Sequence, residues 1–153
     1  MTYASLLHGR HSLPGQCYSI TTATADRQAF LANADAARIV MQCARTLDVA
    51  GYSRTLAMVV MPDHVHWLFR LGMWLSLSEV VRRFKGRAAR ELGTGTIWQH
   101  GFHDHGIRTE ESLAQVARYI IENPIRAGLA ERIEEYPFWY SAWEVRNRWD
   151  LFG

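Results

Sequence analysis

His64-Val65-His66 carries the most chemistry per residue in this chain. Side chains alternate along an extended strand, so imidazoles at i and i+2 leave one face and can bring their ring nitrogens to a single metal ion. The flanking residues alternate as a strand requires. Val65, Trp67, Phe69 and Leu71 form an apolar face, and His64, His66, Leu68 and Arg70 form the other. A second reactive group lies downstream, where Gln115, Tyr119 and Asn123 are spaced i, i+4 and i+8. On a helix four residues advance about 6 Å and share a face, so a phenol and a carboxamide project together. If that helix packs on the histidine side of the sheet, His64, His66 and Asn123 can bind a divalent cation with Tyr119 beside it.

The chemistry of such a set is attack on phosphate. Nitrogen and oxygen ligands with open positions leave room for a phosphodiester oxygen, which the ion polarises as a Lewis acid. A tyrosine then serves as nucleophile and keeps the bond energy in a covalent phosphotyrosine. A free phenol, with pKa about 10, is only ~0.1% ionised at pH 7, so it needs a nearby cation or base. Mg²⁺ or Mn²⁺ is expected, and two imidazoles favour Mn²⁺. Each part alone has an ordinary reading. A lone His-x-His is more often a hydrogen-bonded pair, a lone Tyr a half-buried packing residue, and Asn123 before Pro124 can simply end a helix.

The elements that must position these residues are legible in outline. Cys17 to Thr22 has the β-branched and aromatic bias of a strand. A helix is expected over 34–49, with Ile39, Val40, Cys43 and Leu47 on its apolar side and Gly51 as its stop. Thr55 to Met61 is almost wholly apolar and reads as an internal strand. Pro62-Asp63 sits at a turn or bulge, so this strand and the histidine strand pair as a hairpin. Ser76 and Glu79 have capping-box spacing for a second helix that Gly93 ends, with Leu77, Val80, Val81, Phe84 and Ala88 buried. A short strand is expected within Phe102 to Arg108. A third helix begins after Thr109, with Glu110 and Glu111 in its first turn, and ends near Asn123 because Pro124 disfavours helical geometry before it. This order predicts an α+β, ferredoxin-like βαββαβ antiparallel sheet flanked by helices, with the Tyr119 helix after the fourth strand.

At 153 residues the chain is expected to hold one main domain, over 15–130, preceded by an arm over 1–14 and followed by an aromatic tail over 131–153 that packs on it. A 48% hydrophobic and 21% charged composition excludes a disordered chain. The net charge of +2 says little about partners, but Arg82, Arg83, Lys85, Arg87 and Arg90 place five positive charges in nine residues, which suits phosphate contacts. Cys17 and Cys43 form no CxxC pair, and the N-terminus has no sustained apolar run, so a cytoplasmic location is expected. His103-Asp104-His105 is a second His-x-His that could reach the same centre or be surface polar residues. Trp139, Tyr140, Trp143 and Trp149 either pack in the core or stack on unpaired bases.

Four segments in this order resemble one known family: Val60-Met61-Pro62-Asp63-His64-Val65-His66; Phe84-Lys85-Gly86; Trp98-Gln99 with Asp104; and Tyr119-Ile120-Ile121-Glu122-Asn123-Pro124-Ile125-Arg126-Ala127-Gly128-Leu129. The family is that of the REP-associated tyrosine transposases, within the HUH single-tyrosine, single-strand nucleases. The resemblance implies His64 and His66 as metal ligands, Tyr119 as nucleophile and Asn123 as third ligand. From charge and position, Arg83, Lys85, Arg87, Arg90, His103, Arg108 and Arg126 are expected as DNA contacts. The resemblance further implies cleavage and joining of single-stranded DNA at REP-type hairpins through a 5′-phosphotyrosine, by a monomer at a bacterial nucleoid. The family often has Asn where Asp63 stands, which places an extra carboxylate near the metal. Two alternatives stay open: a hairpin-binding module that does not cleave, and a zinc hydrolase built from both His-x-His pairs.

Overall fold

The computed structural model describes residues 12–93, 95–108 and 110–144, and side chains at 110 and 111 are left aside. The expected cap at Thr109, the acidic first turn at Glu110 and Glu111, most of the arm and Trp149 lie outside what is described.

The chain forms β1 (Cys17–Ala23), α1 (Ala34–Val49), β2 (Ser53–Met61), β3 (His64–Leu71), α2 (Leu77–Leu92), β4 (His103–Ile107), α3 (Glu110–Ile121), a single turn α4 (Asn123–Arg126) and β5 (Trp139–Ser141). The sheet order is β4-β1-β3-β2-β5, with every pairing antiparallel. Its first four strands are the expected ferredoxin-like arrangement. Local signals set the helix ends. The Asn33 side chain accepts from the backbone N–H groups of Asp35 and Ala36 at the start of α1. Ser76 Oγ accepts from Glu79 N at 3.2 Å, and Gly93 ends α2 in the left-handed region at φ +68. Among the described residues no helix is long and apolar enough to cross a membrane.

The sheet buries both faces. On one, Ile20, Val60, Val65, Trp67 and Phe69 pack against Val40, Cys43 and Leu47 of α1 and Val80, Val81 and Phe84 of α2. On the other, Cys17, Ala57, Val59, Met61 and Leu68 pack against Leu113, Ala117, Ile120 and Ile121 of α3. A strand sandwiched in this way should be apolar throughout, as β2 is. Its outer neighbour was not foreseen from the sequence. Trp139–Ser141 pairs with Ala57–Val59, so the segment expected as a packed tail supplies the fifth strand. Trp139 and Tyr140 are buried, and Trp139 Nε1 donates to the carbonyl of Ile133 at 2.8 Å. Core packing is therefore their part, while Trp143 stays exposed.

The end of α3 also differs from expectation. The helix stops at Ile121 and a new turn opens at Asn123, with Pro124 in its first positions and buried. A proline there lacks only an N–H that the first turn of a helix leaves unpaired anyway.

Candidate metal and nucleophile centre

Pro62 and Asp63 are the two-residue turn of the β2–β3 hairpin, with Met61 opposite His64. The turn is held by neighbouring backbone: Leu31 N donates to Pro62 O and Thr24 N to Asp63 O, both at 2.9 Å. It sets the register, so His66 lies opposite Val59 on one side and Thr21 on the other. Both histidines thus share the face of Met61, Val59 and Leu68. That is the face covered by α3, and the condition set on Tyr119 by the sequence is met.

The imidazole rings stand 4.8 Å apart between centroids and nearly perpendicular, at 88°. Each is fixed through Nδ1. His64 Nδ1 lies 2.7 Å from Asp63 Oδ1, and His66 Nδ1 lies 3.0 Å from Thr21 Oγ1. An ionised carboxylate only accepts, so His64 donates from Nδ1 and turns Nε2 away from Asp63. Burial first, then the charges of His64, Arg126 and Arg27, push the His66 imidazole down to about 4, so it is neutral near pH 7 as a metal ligand must be. Two imidazole nitrogens on one face suit a divalent first-row ion, and this pair fits the kind of ion that the family implies.

The Asp63 carboxylate sits against the rear nitrogen of His64. Its second oxygen, Oδ2, accepts from Arg27 Nε at 3.0 Å, so the carboxylate bridges Arg27 and the rear nitrogen of His64. Burial raises its pKa, but the hydrogen bonds from His64 and Arg27 and their charges outweigh that and hold it below the ordinary value. Arg27 reaches it from a tight turn in which Asp26 and Arg27 both adopt φ +54, a conformation costly for residues with a Cβ. Thr21 and Arg27 thus hold the candidate ligand His66 and the Asp63 carboxylate, and neither was singled out from the sequence. Thr21 could have been found from the strand register, whereas nothing local marks Arg27.

Tyr119 is 63% exposed and lies under Arg126, whose Cζ sits 3.7 Å from the ring centroid. Arg126 Nη2 also donates to the carbonyl of Tyr119 at 2.6 Å. Asn123, one turn on, is partly buried, and Gln115 is exposed. His103 pairs with Thr21 and so falls in one row with His66 on the same face, exposed at the β4 edge; His105 follows on that face. Two strand spacings separate His103 from His66, about 10 Å between Cα atoms. Among the described residues no three or more His, Cys, Asp or Glu side chains gather as a metal site. The two His-x-His pairs therefore do not merge into one zinc centre.

The basic stretch is on the other layer. Arg82, Arg83, Arg87 and Arg90 line a cleft of about 470 Å³ between α1 and α2, with Thr46 and Tyr52. Arg82 and Arg83 pair with Glu79, Arg87 with Glu91, and the Arg83 guanidinium lies over the Tyr52 ring at 5.2 Å. Glu79, held by these two hydrogen-bonded arginines, falls to about 2. Lys85 turns inward: Nζ donates to the carbonyls of Gln99 at 2.9 Å and Gly101 at 2.7 Å, and burial lowers its pKa. Arg108 is exposed just past β4.

Comparison with known proteins identifies the family. Residues 14–123 match the family described as "Transposase IS200 like". The REP-associated tyrosine transposase of Escherichia coli K12 is 30% identical over 83 residues, covering 54% of this chain and 50% of that protein. A Haemophilus influenzae relative is 28% identical over 100 residues, covering 55% of this chain and 56% of its own. The chain therefore spans about half the length of these curated relatives. Among solved structures, a REP-associated tyrosine transposase bound to a REP hairpin superposes with a TM-score of 0.74 at 23% identity, over 85% of this chain and 79% of that one. The fold, the histidine pair facing the Tyr119 helix, and a family match that reaches from 14 to 123 place the chain in the IS200-like transposase family.

Proposed function

We propose that this chain nicks and rejoins single-stranded DNA at REP-type hairpins through a covalent 5′-phosphotyrosine on Tyr119. One observation carries the reading. His64 and His66 lie on the sheet face of Met61, Val59 and Leu68, and that face is the one covered by α3, the helix that carries Tyr119. The substrate is taken from the hairpin named for the structural neighbour.

Tyr119 Oη attacks the scissile phosphorus and loses its proton to water. The Oη–P bond forms as the P–O3′ bond breaks, and the 3′ oxygen leaves as a hydroxyl after taking a proton. Attack by another 3′ hydroxyl reverses the step and joins strands. Asp63 and Thr21 keep the two imidazoles turned with Nε2 outward. An Mg²⁺ or Mn²⁺ ion held by His64, His66 and Asn123 would supply Lewis-acid polarisation of the phosphodiester. His103 and Arg108 are candidates for strand contacts, while Arg126 lies on the ring of the nucleophile. Arg83, Arg87 and Arg90 meet DNA only where it passes to the α1–α2 layer, and Lys85 acts through the loop it pins.

The test is an SDS-resistant adduct between the protein and a labelled single-stranded hairpin, with Mg²⁺ or Mn²⁺ added. Wild type is expected to form it and Tyr119→Phe to form none. An adduct with Tyr119→Phe overturns the nucleophile, and tight hairpin binding without any adduct in wild type identifies a non-cleaving binder.

A further inference from the structure

We infer that Arg126 is a positioning residue for the nucleophile: its guanidinium holds the Tyr119 ring in its attacking orientation and stays beside the phosphoryl group that the ring acquires. The inference rests on the phosphotyrosine reading above and assigns Arg126 more than backbone contact.

The argument starts at the end of α3. The last carbonyls of a helix lack helical donors, and Tyr119 sits in that last turn. Pro124 has no N–H for the carbonyl of Ile120, so the helix cannot continue through it. The turn that it opens instead carries Arg126 back over the helix end, where Nη2 donates to the Tyr119 carbonyl at 2.6 Å. The same guanidinium then lies on the ring of the same residue, 3.7 Å from its centroid. Backbone and ring of Tyr119 are thus held by one planar group.

This matters because the ring is 63% exposed. Exposed side chains change rotamer on the picosecond to nanosecond scale unless something restrains them, and productive attack needs near-attack geometry. The negative face of an aromatic ring attracts a flat cation, and arginine stacks there as lysine does not. Arg126 also differs from its neighbours in charge balance. Arg118 is paired with Glu122 and Glu144, whereas among the described residues no carboxylate pairs with Arg126. A guanidinium has five N–H donors, and Nη2 uses one toward the Tyr119 carbonyl. The others remain for the phosphate oxygens when Oη–P forms and P–O3′ breaks, where fixed donors aimed at developing charge act most strongly.

The experiment is single-turnover adduct formation at varied hairpin concentration, with Arg126→Ala, Arg126→Lys and Tyr119→Phe beside wild type. DNA affinity is read separately by fluorescence anisotropy in EDTA. For Arg126→Ala the rate constant at saturating DNA should fall about 100-fold, with half-saturating DNA and the anisotropy affinity within about threefold of wild type. Arg126→Lys, which keeps the charge but not the plane, should recover only a small part. Added guanidinium ion should accelerate Arg126→Ala, and methylammonium should not. An unchanged saturating rate with weakened DNA binding would make Arg126 a simple backbone anchor and overturn the inference. Full activity of Arg126→Lys overturns it as well, and decides the matter alone should the alanine variant fail to fold. Absence of an adduct in wild type defeats the phosphotyrosine reading itself, so the two failures are distinct.

Discussion

Removing Asp63 separates orientation of a ligand from ligation itself. Its carboxylate accepts from His64 Nδ1 at 2.7 Å and from Arg27 Nε at 3.0 Å, so Asp63→Ala frees the His64 ring to rotate and to change tautomer. Loss of a carboxylate behind a metal-binding histidine lowers metal affinity about 10–100-fold, or roughly 1.4–2.7 kcal/mol. A charge-assisted hydrogen bond contributes about 1.5–3 kcal/mol, which is consistent. Because the Asp63 side chain keeps 29% of its exposure, the lower half of that range applies and a loss of about tenfold to thirtyfold is expected. Asp63→Asn retains an oxygen that accepts from Nδ1–H, so it should stay within about threefold of wild type. Arg27→Ala removes a pair whose arginine is 54% exposed, worth at most ~1 kcal/mol, hence about fivefold or less. Arg27 acts through Asp63, so the double alanine variant should be no weaker than Asp63→Ala. Calorimetric titration of the DNA-free protein with Mn²⁺ measures all four. If Asp63→Asn loses as much affinity as Asp63→Ala, the carboxylate is itself a ligand. If Asp63→Ala binds as wild type does, the hydrogen bond to His64 orients nothing.

Three further outcomes follow from the scaffold. Thr22 Oγ1 is buried without a hydrogen-bond partner among the described residues, so Thr22→Val, which keeps shape and β-branching, should raise stability by about 1 kcal/mol in urea melts; a lower midpoint would refute this. Lys85→Met leaves the carbonyls of Gln99 and Gly101 without their donor. It should lower the melting temperature while leaving the salt dependence of DNA affinity unchanged, and a salt slope reduced by about one would instead make Lys85 a phosphate contact. Burial raises the Asp48 pKa, against hydrogen bonds from Ser53 and Thr55 and the charge of Arg45. A folded pKa above the unfolded one means that this residue's contribution is full below the unfolded value, near 3.8, and is lost as pH rises through the raised value. The stability of wild type relative to Asp48→Asn should therefore increase as pH falls through that window, and a difference independent of pH would contradict the sign.

What could be read from the sequence was what is local. The ends of α2 follow from Ser76 and Gly93, and the two faces of β3 follow from simple alternation. The His64–His66 pair and the Tyr119–Asn123 spacing have the same local origin. What could not be read depends on partners distant in the chain. Trp139–Ser141 is three residues long, too short for a pattern, and is a strand only because β2 offers an edge. Arg27 meets Asp63 across 36 positions from a backbone conformation that its residue type disfavours. Helical periodicity likewise shows that α2 has a basic face and α3 a phenol, but not which side of the sheet each helix takes. That choice decides the site. With α3 on the histidine face and α2 on the other, the Tyr119 helix and the histidine pair share one side, and the arginines of α2 lie behind the sheet. DNA that reaches both must pass a sheet edge. The β4 edge, where exposed His103 and His105 face the histidine side, is the one that α3 leaves more open.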